Sequence, residues 1–365
     1  MIGIDASRAL VREKTGTETY TYELLRALAA LDPPDNFELY LNAAAAPLDF
    51  PMRERAVCLP FPRLWTHGRL STRMAAHPPS VLFVPAHVVP AIHPRTVVAI
   101  HDLGYLTFPD AHPPGARRML DAATRWSAHA SREIIAISAA TKHDLVQAYS
   151  VDPGKITVIH HGVDPIFYPW AADEIAPTLR RLGIDEPYVL AVGTYQPRKN
   201  FGRLATAMAS VAESGSPHQL VIAGKRGWLA EQVDRDIESN GRIDRLKRLG
   251  YVSSSDLPAL YAGASAFCLP SLHEGFGMPV LEAMASGTPV ITSDSGALAE
   301  AAGGAAFTVD PLDANAIAAA LMRILTEPKL AESLRLAGLK RASEFTWART
   351  AEATLTVLRR VRAAK

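Results

Sequence analysis

Short apolar runs alternate with longer stretches of helical periodicity along the whole chain, the pattern of a parallel α/β protein. In the first half the runs fall at residues 2–5, 37–41, 57–60, 81–84, 97–100, 134–137 and 156–159, and the spacing predicts helices at 19–31, 116–131 and 139–149. Residues 164–187 carry several prolines and no strand pattern, so they are expected to connect the halves and hold one short helix. The pattern then restarts, with runs at 188–192, 219–223, 249–252, 266–269, 289–292 and 306–309 and helices between most of them. Two doubly wound halves of similar size predict two Rossmann-like parallel-sheet domains, residues 1–175 and 176–345, facing each other across a cleft. A last helix is predicted at 346–361, within a terminal segment 346–365.

Composition narrows the class without naming it. The chain has 365 residues, 48% hydrophobic and 21% charged, as an ordinary folded protein does. Lys plus Arg number 38 against 37 Asp plus Glu, so no global field favours nucleic acid. Cys58 and Cys268 lie far apart in apolar runs without metal-like spacing and read as reduced core residues of a cytoplasmic protein. The opening MIGIDASRAL starts a strand at once, which predicts no signal peptide. No apolar run approaches the ~18 residues of a membrane span, so membrane association is expected only as peripheral contact on the inner membrane face.

The most informative stretch is HEGFGMPVLEAMASGTPV, with Glu274 and Glu282. Gly275, Phe276 and Gly277 form a turn that opens a helix, and Pro279 fits its first turn, where the missing N–H costs nothing. A helix start presents unpaired N–H groups and a positive dipole end to an anion, and the glycines let backbone approach it. Glu282 follows Glu274 by about two turns, so both can face one crevice. Taken alone, such a pair is also a solvated loop residue and a surface-helix residue. A second stretch, GTYQPRKN, puts Gly193 at a strand end and Arg198 and Lys199 before a helix, a forked and a compact cation suited to a diphosphate.

Together these segments resemble the glutamate-x7-glutamate and PRKN elements of the retaining family 4 glycosyltransferases, which have the GT-B fold. The likeness runs from GIDASR to FTWARTAEATL and is most specific at those two elements. It implies that Glu274 binds hydroxyls of the donor sugar, Glu282 the nucleotide ribose, and Arg198 and Lys199 the leaving diphosphate. It also implies that the terminal helix crosses back to the first domain and that no metal or cofactor is needed. Many relatives have an arginine directly after the strand-end glycine; here Thr194 stands there.

The same resemblance places IAGKRGW, with Lys225, near the nucleotide base, and has the loop at Tyr251 and Val252 read that base through its backbone. In AIHDLGY it puts His101 at the donor sugar, with Asp102 orienting His101 or touching acceptor. In TGTETY it lays Thr15, Gly16 and Thr17 over the donor phosphates. Ser138 and HHGVD (His160 to Asp164) match further landmarks as structural residues. Leu257, Leu260 and Tyr261 read as core residues ahead of packing against the base. PFPRLWTHGRLSTRM mixes Arg63, Arg69, Arg73 and Trp65 without an acidic residue, and is either an exposed loop and basic helix end or a grip for an anionic acceptor or membrane surface. Asp234-Arg235-Asp236 has the form of a metal-binding DxD but sits in a polar helical pattern, on what reads as a solvated face.

No G-x-G-x-x-G, Walker A, HExxH or paired CxxC occurs. GKRGW and PRKN resemble the mannosyltransferase branch of the family, and the resemblance implies a metal-independent hexosyltransferase moving mannose, from GDP-mannose ahead of UDP-glucose, to a glycan or lipid-linked acceptor, as in polysaccharide biosynthesis. The alternatives are a nucleotide-sugar epimerase and a non-catalytic nucleotide-sugar-binding module on the same scaffold.

Overall fold

The first seven apolar runs build one parallel sheet in the computed structural model, which describes residues 1–11, 16–42, 54–61, 64–109, 114–184, 187–240 and 245–364. Its strands are β1 (Ile2–Asp5), β2 (Phe37–Leu41), β3 (Glu54–Cys58), β4 (Val81–Val84), β5 (Thr96–Ile100), β6 (Glu133–Ala136) and β7 (Ile156–Val158), in the order β3-β2-β1-β4-β5-β6-β7. Ile4 of β1 lies opposite Leu39 on one side and Phe83 on the other, so the winding reverses at β1. The central strands are buried throughout, which is why they read as unbroken apolar runs.

The second sheet holds β8 (Tyr188–Val192), β9 (Gln219–Ala223), β10 (Leu246–Gly250), β11 (Ala266–Leu269), β12 (Val290–Ser293) and β13 (Phe307–Val309), in the order β10-β9-β8-β11-β12-β13. Here the winding reverses between β8 and β11, the two strands that lead into the motif loops. The proline-rich connection holds the helix Ala172–Leu182, as expected, with Pro177 inside it.

Two strands differ from the sequence expectation, both at sheet edges. β3 begins three residues before the run at 57–60, and Cys58 at its end is exposed rather than core. β10 is the polar LKRLG, half-exposed along its length, so Tyr251 and Val252 lie beyond it. An edge strand needs few apolar side chains, and its run therefore misplaces it.

Internal contacts divide the chain into two units: Met1–Leu106, Pro114–Gly162 and Phe345–Lys365 in the first, Thr107–Pro113 and Val163–Glu344 in the second. The division falls at Gly162 rather than near residue 175, because Phe167 packs edge-on against Tyr261 of the second unit. The terminal helix Trp347–Ala363 belongs to the first unit. Gly162 admits it: a Cβ there would stand 2.1 Å from the Trp347 nitrogen. Thr350 Oγ1 donates to the His160 carbonyl at 2.8 Å, and Trp347 stacks on His161. Further along, Arg359 Nη2 and Arg362 Nη1 each reach Asp35 at 2.6 Å, and Arg360 pairs with Glu133.

Burial works against the Asp35 charge, but its bonds to Arg359 and Arg362 hold the carboxyl below its ordinary range. Its contribution to stability is therefore present above the unfolded value near ~4 and lost as pH falls through the folded one. Asp35→Ala is expected to destabilise the first unit by about 1–2 kcal/mol at pH 7, the loss of charge-assisted bonds to two arginines that reach solvent. The deficit should shrink below about pH 4 in urea melts. Gly162→Ala should cost about 2 kcal/mol or more at every pH, since the clash carries no charge.

Candidate functional site

The loops after β8 and β11 meet where the winding of the second sheet reverses, the place where open α/β sheets bind ligands. After β8, Pro197–Lys199 make one 3-10 turn, and Asn200 ends it in the left-handed conformation at φ 62°. The Asn200 amide donates to the carbonyls of Pro270 (2.9 Å) and Pro311 (2.6 Å), and Leu272 N donates to the Arg198 carbonyl at 2.8 Å. These bonds lock the PRKN turn to the residues leading into Glu274.

Glycines bring the neighbouring loops together. A Cβ on Gly193 would meet Lys199 Cε at 2.9 Å, so Lys199 lies directly across that backbone. A Cβ on Gly224 would stand 1.9 Å from the Gly193 carbonyl oxygen, and one on Gly227 2.5 Å from Thr194. Gly227 thus leaves room for the Thr194 side chain.

The sequence assigned Arg198 and Lys199 to one ligand group and Glu274 to another; the structure joins all three. Lys199 Nζ donates to Glu274 Oε1 at 2.5 Å, and Arg198 Nη1 donates to Oε2 and to the His273 carbonyl, both at 2.8 Å. Glu274 and Lys199 side chains are 9% and 7% exposed. Burial opposes the Glu274 charge, yet Lys199 and Arg198 bring its carboxyl down to about 2, so it is ionised at any physiological pH. Two cations against one anion leave the cluster net positive by one charge.

Glu282 sits on the helix Met278–Ala285, which Gly277 caps at φ 119° with Leu298 and Ala301 packed close. Its environment is the opposite of that of Glu274. Burial raises its carboxyl to about 7, Asp164 adds to the rise, and a bond from the Tyr261 hydroxyl to Oε2 at 2.8 Å lowers it. Phe276 is buried, Lys225 partly exposed and Tyr251 exposed, and Val252 is nearly buried beside it. Of the DxD pair, Asp234 is engaged rather than solvated. Asp234 accepts from Tyr195 Oη at 3.0 Å and from Arg226 at 2.9 Å, and Arg248 approaches at 3.3 Å, so it braces the GKRGW loop against the β8 loop. Neither Asn200 nor Asp234 stood out in the sequence as an organiser; the only signal was an Asn directly before a helix.

In the first unit His101 follows β5 and is buried, its Nε2–H donating to the Pro85 carbonyl at 2.7 Å. Its ring stacks on His87 and meets Tyr20 edge-on, with Tyr20 stacked in turn on His161. Burial lowers all three imidazoles, His87 to about 4, so they are neutral and Nδ1 is the lone-pair nitrogen of His101. Asp102 accepts from Gly104 N at 2.9 Å and so caps the turn Gly104–Thr107. Gly16 begins the helix Gly16–Ala30 with nothing near the space a Cβ would fill, so packing does not explain that glycine; Thr17 follows it, and Thr15 lies outside the described residues.

The basic segment separates into parts. Arg73 pairs with buried Glu38 at 2.7 Å, and Trp65 is buried with its indole N–H on the Leu59 carbonyl, so neither offers a surface grip. Arg69 is exposed, and Arg63 lies outside the described residues. Among the described residues no helix is long and apolar enough to cross a membrane, and no three His, Cys, Asp or Glu side chains are grouped to share a metal ion.

Removing Lys199 leaves a nearly buried carboxylate with Arg198 alone, which should cost about 3 kcal/mol of ligand-free stability. In a double-mutant cycle by denaturant unfolding, Lys199→Ala with Glu274→Ala should cost less than the sum of the two singles.

Comparison with known proteins fits this arrangement. Residues 14–167 match the family described as Glycosyltransferase Family 4, and residues 179–341 match Glycosyl transferases group 1. O-antigen chain mannosyltransferase B of Escherichia coli is 31% identical over 255 residues, 69% of this chain and 67% of that protein. The MMP alpha-(1->4)-mannosyltransferase of Mycolicibacterium hassiacum is 32% identical over 232 residues, 62% of this chain but only 53% of that protein. Among solved structures, sucrose-phosphate synthase from Thermosynechococcus elongatus superposes with a TM-score of 0.79 at 22% identity, over 100% of this chain and 99% of that one. Anabaena HepE in complex with UDP-glucose gives 0.75 at 17% identity, over 98% and 99%. At such identities the structural likeness speaks for the fold, two Rossmann-like units of GT-B type. With both halves of its sequence matched to these families and a relative aligned over two thirds of its length, the chain belongs to the family 4/group 1 glycosyltransferases.

Proposed function

We propose that the protein is a retaining hexosyltransferase that takes mannose from GDP-mannose, with UDP-glucose the second choice, and delivers it to a hydroxyl of a glycan or lipid-linked acceptor. The observation that carries the reading is the Lys199–Glu274–Arg198 triad at the reversal between β8 and β11. The mannose preference is supported by the names of the two relatives above, and the nucleotide-sugar class by a neighbour solved with UDP-glucose.

In this reading the diphosphate is drawn to the net positive triad. Both cations are held against Glu274, so their charges stand fixed where phosphate oxygens would lie. The start of the helix Met278–Ala285 adds N–H groups without intrahelical acceptors. Glu274, ionised and fixed by two charge-assisted bonds, keeps lone pairs to accept from sugar hydroxyls. As the sugar–phosphate bond breaks, negative charge gathers on the leaving oxygen and is met by cations that need no reorganisation. The acceptor hydroxyl attacks from the leaving-group face and passes its proton to the departing phosphate, which retains configuration without a protein nucleophile. His101 contributes the lone pair of Nδ1 to a sugar hydroxyl, and Glu282 binds the ribose.

Glu274→Gln, which keeps the shape and removes the charge, and Arg198→Ala are each expected to lower turnover by ~10²-fold or more. The measurement is transfer from GDP-mannose and UDP-glucose to a panel of glycan and lipid-linked acceptors, with thermal shifts by GDP and UDP as the binding control. Near-normal rates in both variants would sink the site assignment. Shifts by UDP alone would move the donor to glucose.

A further inference from the structure

Tyr261 reads as a core residue in the sequence, and it is wholly buried, but its one polar atom is engaged with a proposed ligand-binding carboxylate. The ring is held on two sides, edge-on by Phe167 with centroids 5.6 Å apart and tilted against Phe267 at 5.4 Å. Its backbone is pinned as well. Thr288 Oγ1 donates to the Tyr261 carbonyl at 2.5 Å, and Tyr188 Oη donates to the preceding Leu260 carbonyl at 2.7 Å. The hydroxyl therefore has one place to be, 2.8 Å from Glu282 Oε2, and among the described residues it makes no other hydrogen bond. Glu282 Oε1 receives no hydrogen bond from any described residue. One oxygen is fixed by the protein and one is left for a ligand.

We propose that Tyr261 is a positioning residue, a buried hydrogen-bond donor that aims the Glu282 carboxylate at the nucleoside of the sugar donor. The inference rests on the assignment of Glu282 to the ribose made above. A ribose diol donates hydrogen bonds, so it needs a carboxylate that accepts. Burial favours the neutral form, and Tyr261 supplies the one hydrogen bond that favours the charged one. The groups acting on Glu282 are Tyr261, from the helix Leu257–Ala262, and Asp164, from the segment after β7, which opposes ionisation. β11 and β12 carry no charged residue, and Arg335 and Arg341 of the helix Pro328–Ala342 pair with Glu332 and Glu344. Burial holds the Tyr261 hydroxyl protonated far above neutral pH, so it donates throughout.

Phenylalanine fills the same apolar pocket, so Tyr261→Phe isolates the hydroxyl. GDP and UDP binding to the full chain would be measured by calorimetry at pH 6.5, 7.5 and 9, with Glu282→Gln as reference. Tyr261→Phe is expected to weaken binding about tenfold at pH 7.5, as for one lost hydrogen bond to a charged group, and less at pH 9, where Glu282 ionises without help. Glu282→Asp, which withdraws the carboxylate from Tyr261, should weaken binding similarly, and the double variant should be no worse than either single. Wild-type affinity in Tyr261→Phe, a defect of equal size at every pH, or additive losses in the double variant would overturn the positioning role while leaving the ribose assignment standing. Full affinity in Glu282→Gln, or no nucleotide binding by the wild type, would instead overturn both.

Discussion

A single buried negative charge organises the second unit's site. The Glu274 carboxylate is buried, which disfavours its charge, and it is ionised because Lys199 and Arg198 stand against its two oxygens. Those cations come from one loop and the carboxylate from another, so the pairing fixes the distance between the loops as well as the charge state. The remaining local features serve that distance. Gly193 makes way for the Lys199 stem, Asn200 bonds across to Pro270, and Gly224 lets the third loop close over Gly193.

The two glutamates of the motif are opposites in electrostatic terms. Glu274 has two cations and is held at about 2, whereas Glu282 has a phenol and a distant carboxylate for company and is raised to about 7. Seven intervening residues place one on a loop and one on a helix, where burial is similar and partners differ. A glutamate held permanently anionic suits fixed scaffolding between two cations. One poised near neutrality responds to what binds it.

Much of this was legible from the chain. The apolar runs located the central strands because those strands are buried on both faces, and the reversal between β8 and β11 follows from the doubly wound pattern. The basic pair and both glutamates were found from turn chemistry and spacing together with the resemblance to the family's motifs. What was hidden is of one kind: partners distant in sequence. That Glu274 is paired with the cations read as its neighbours in function, that Asp234 braces two loops, and that Arg73 neutralises Glu38 all depend on contacts across the sheet. Edge strands were the other weak point, because a half-exposed strand such as LKRLG carries no apolar run to find. His101 illustrates a third: its place after β5 was foreseen, but not that a backbone carbonyl claims its Nε2–H.

The return of the last helix has a consequence for how the protein is made. The chain passes from one unit to the other at Leu106, at Pro114, at Gly162 and at Phe345, so neither unit is a continuous stretch of sequence. Domains generally fold in the order in which synthesis supplies them. Here the second unit, through Glu344, has all its residues before the first has received the segment that covers Gly162 and neutralises Asp35. Until the segment from Phe345 onward leaves the ribosome, the half that was begun first lacks the partners of Asp35 and the cover over Gly162. The amino-terminal unit is thereby completed after the second one, and the segment from Phe345 onward is a condition for it.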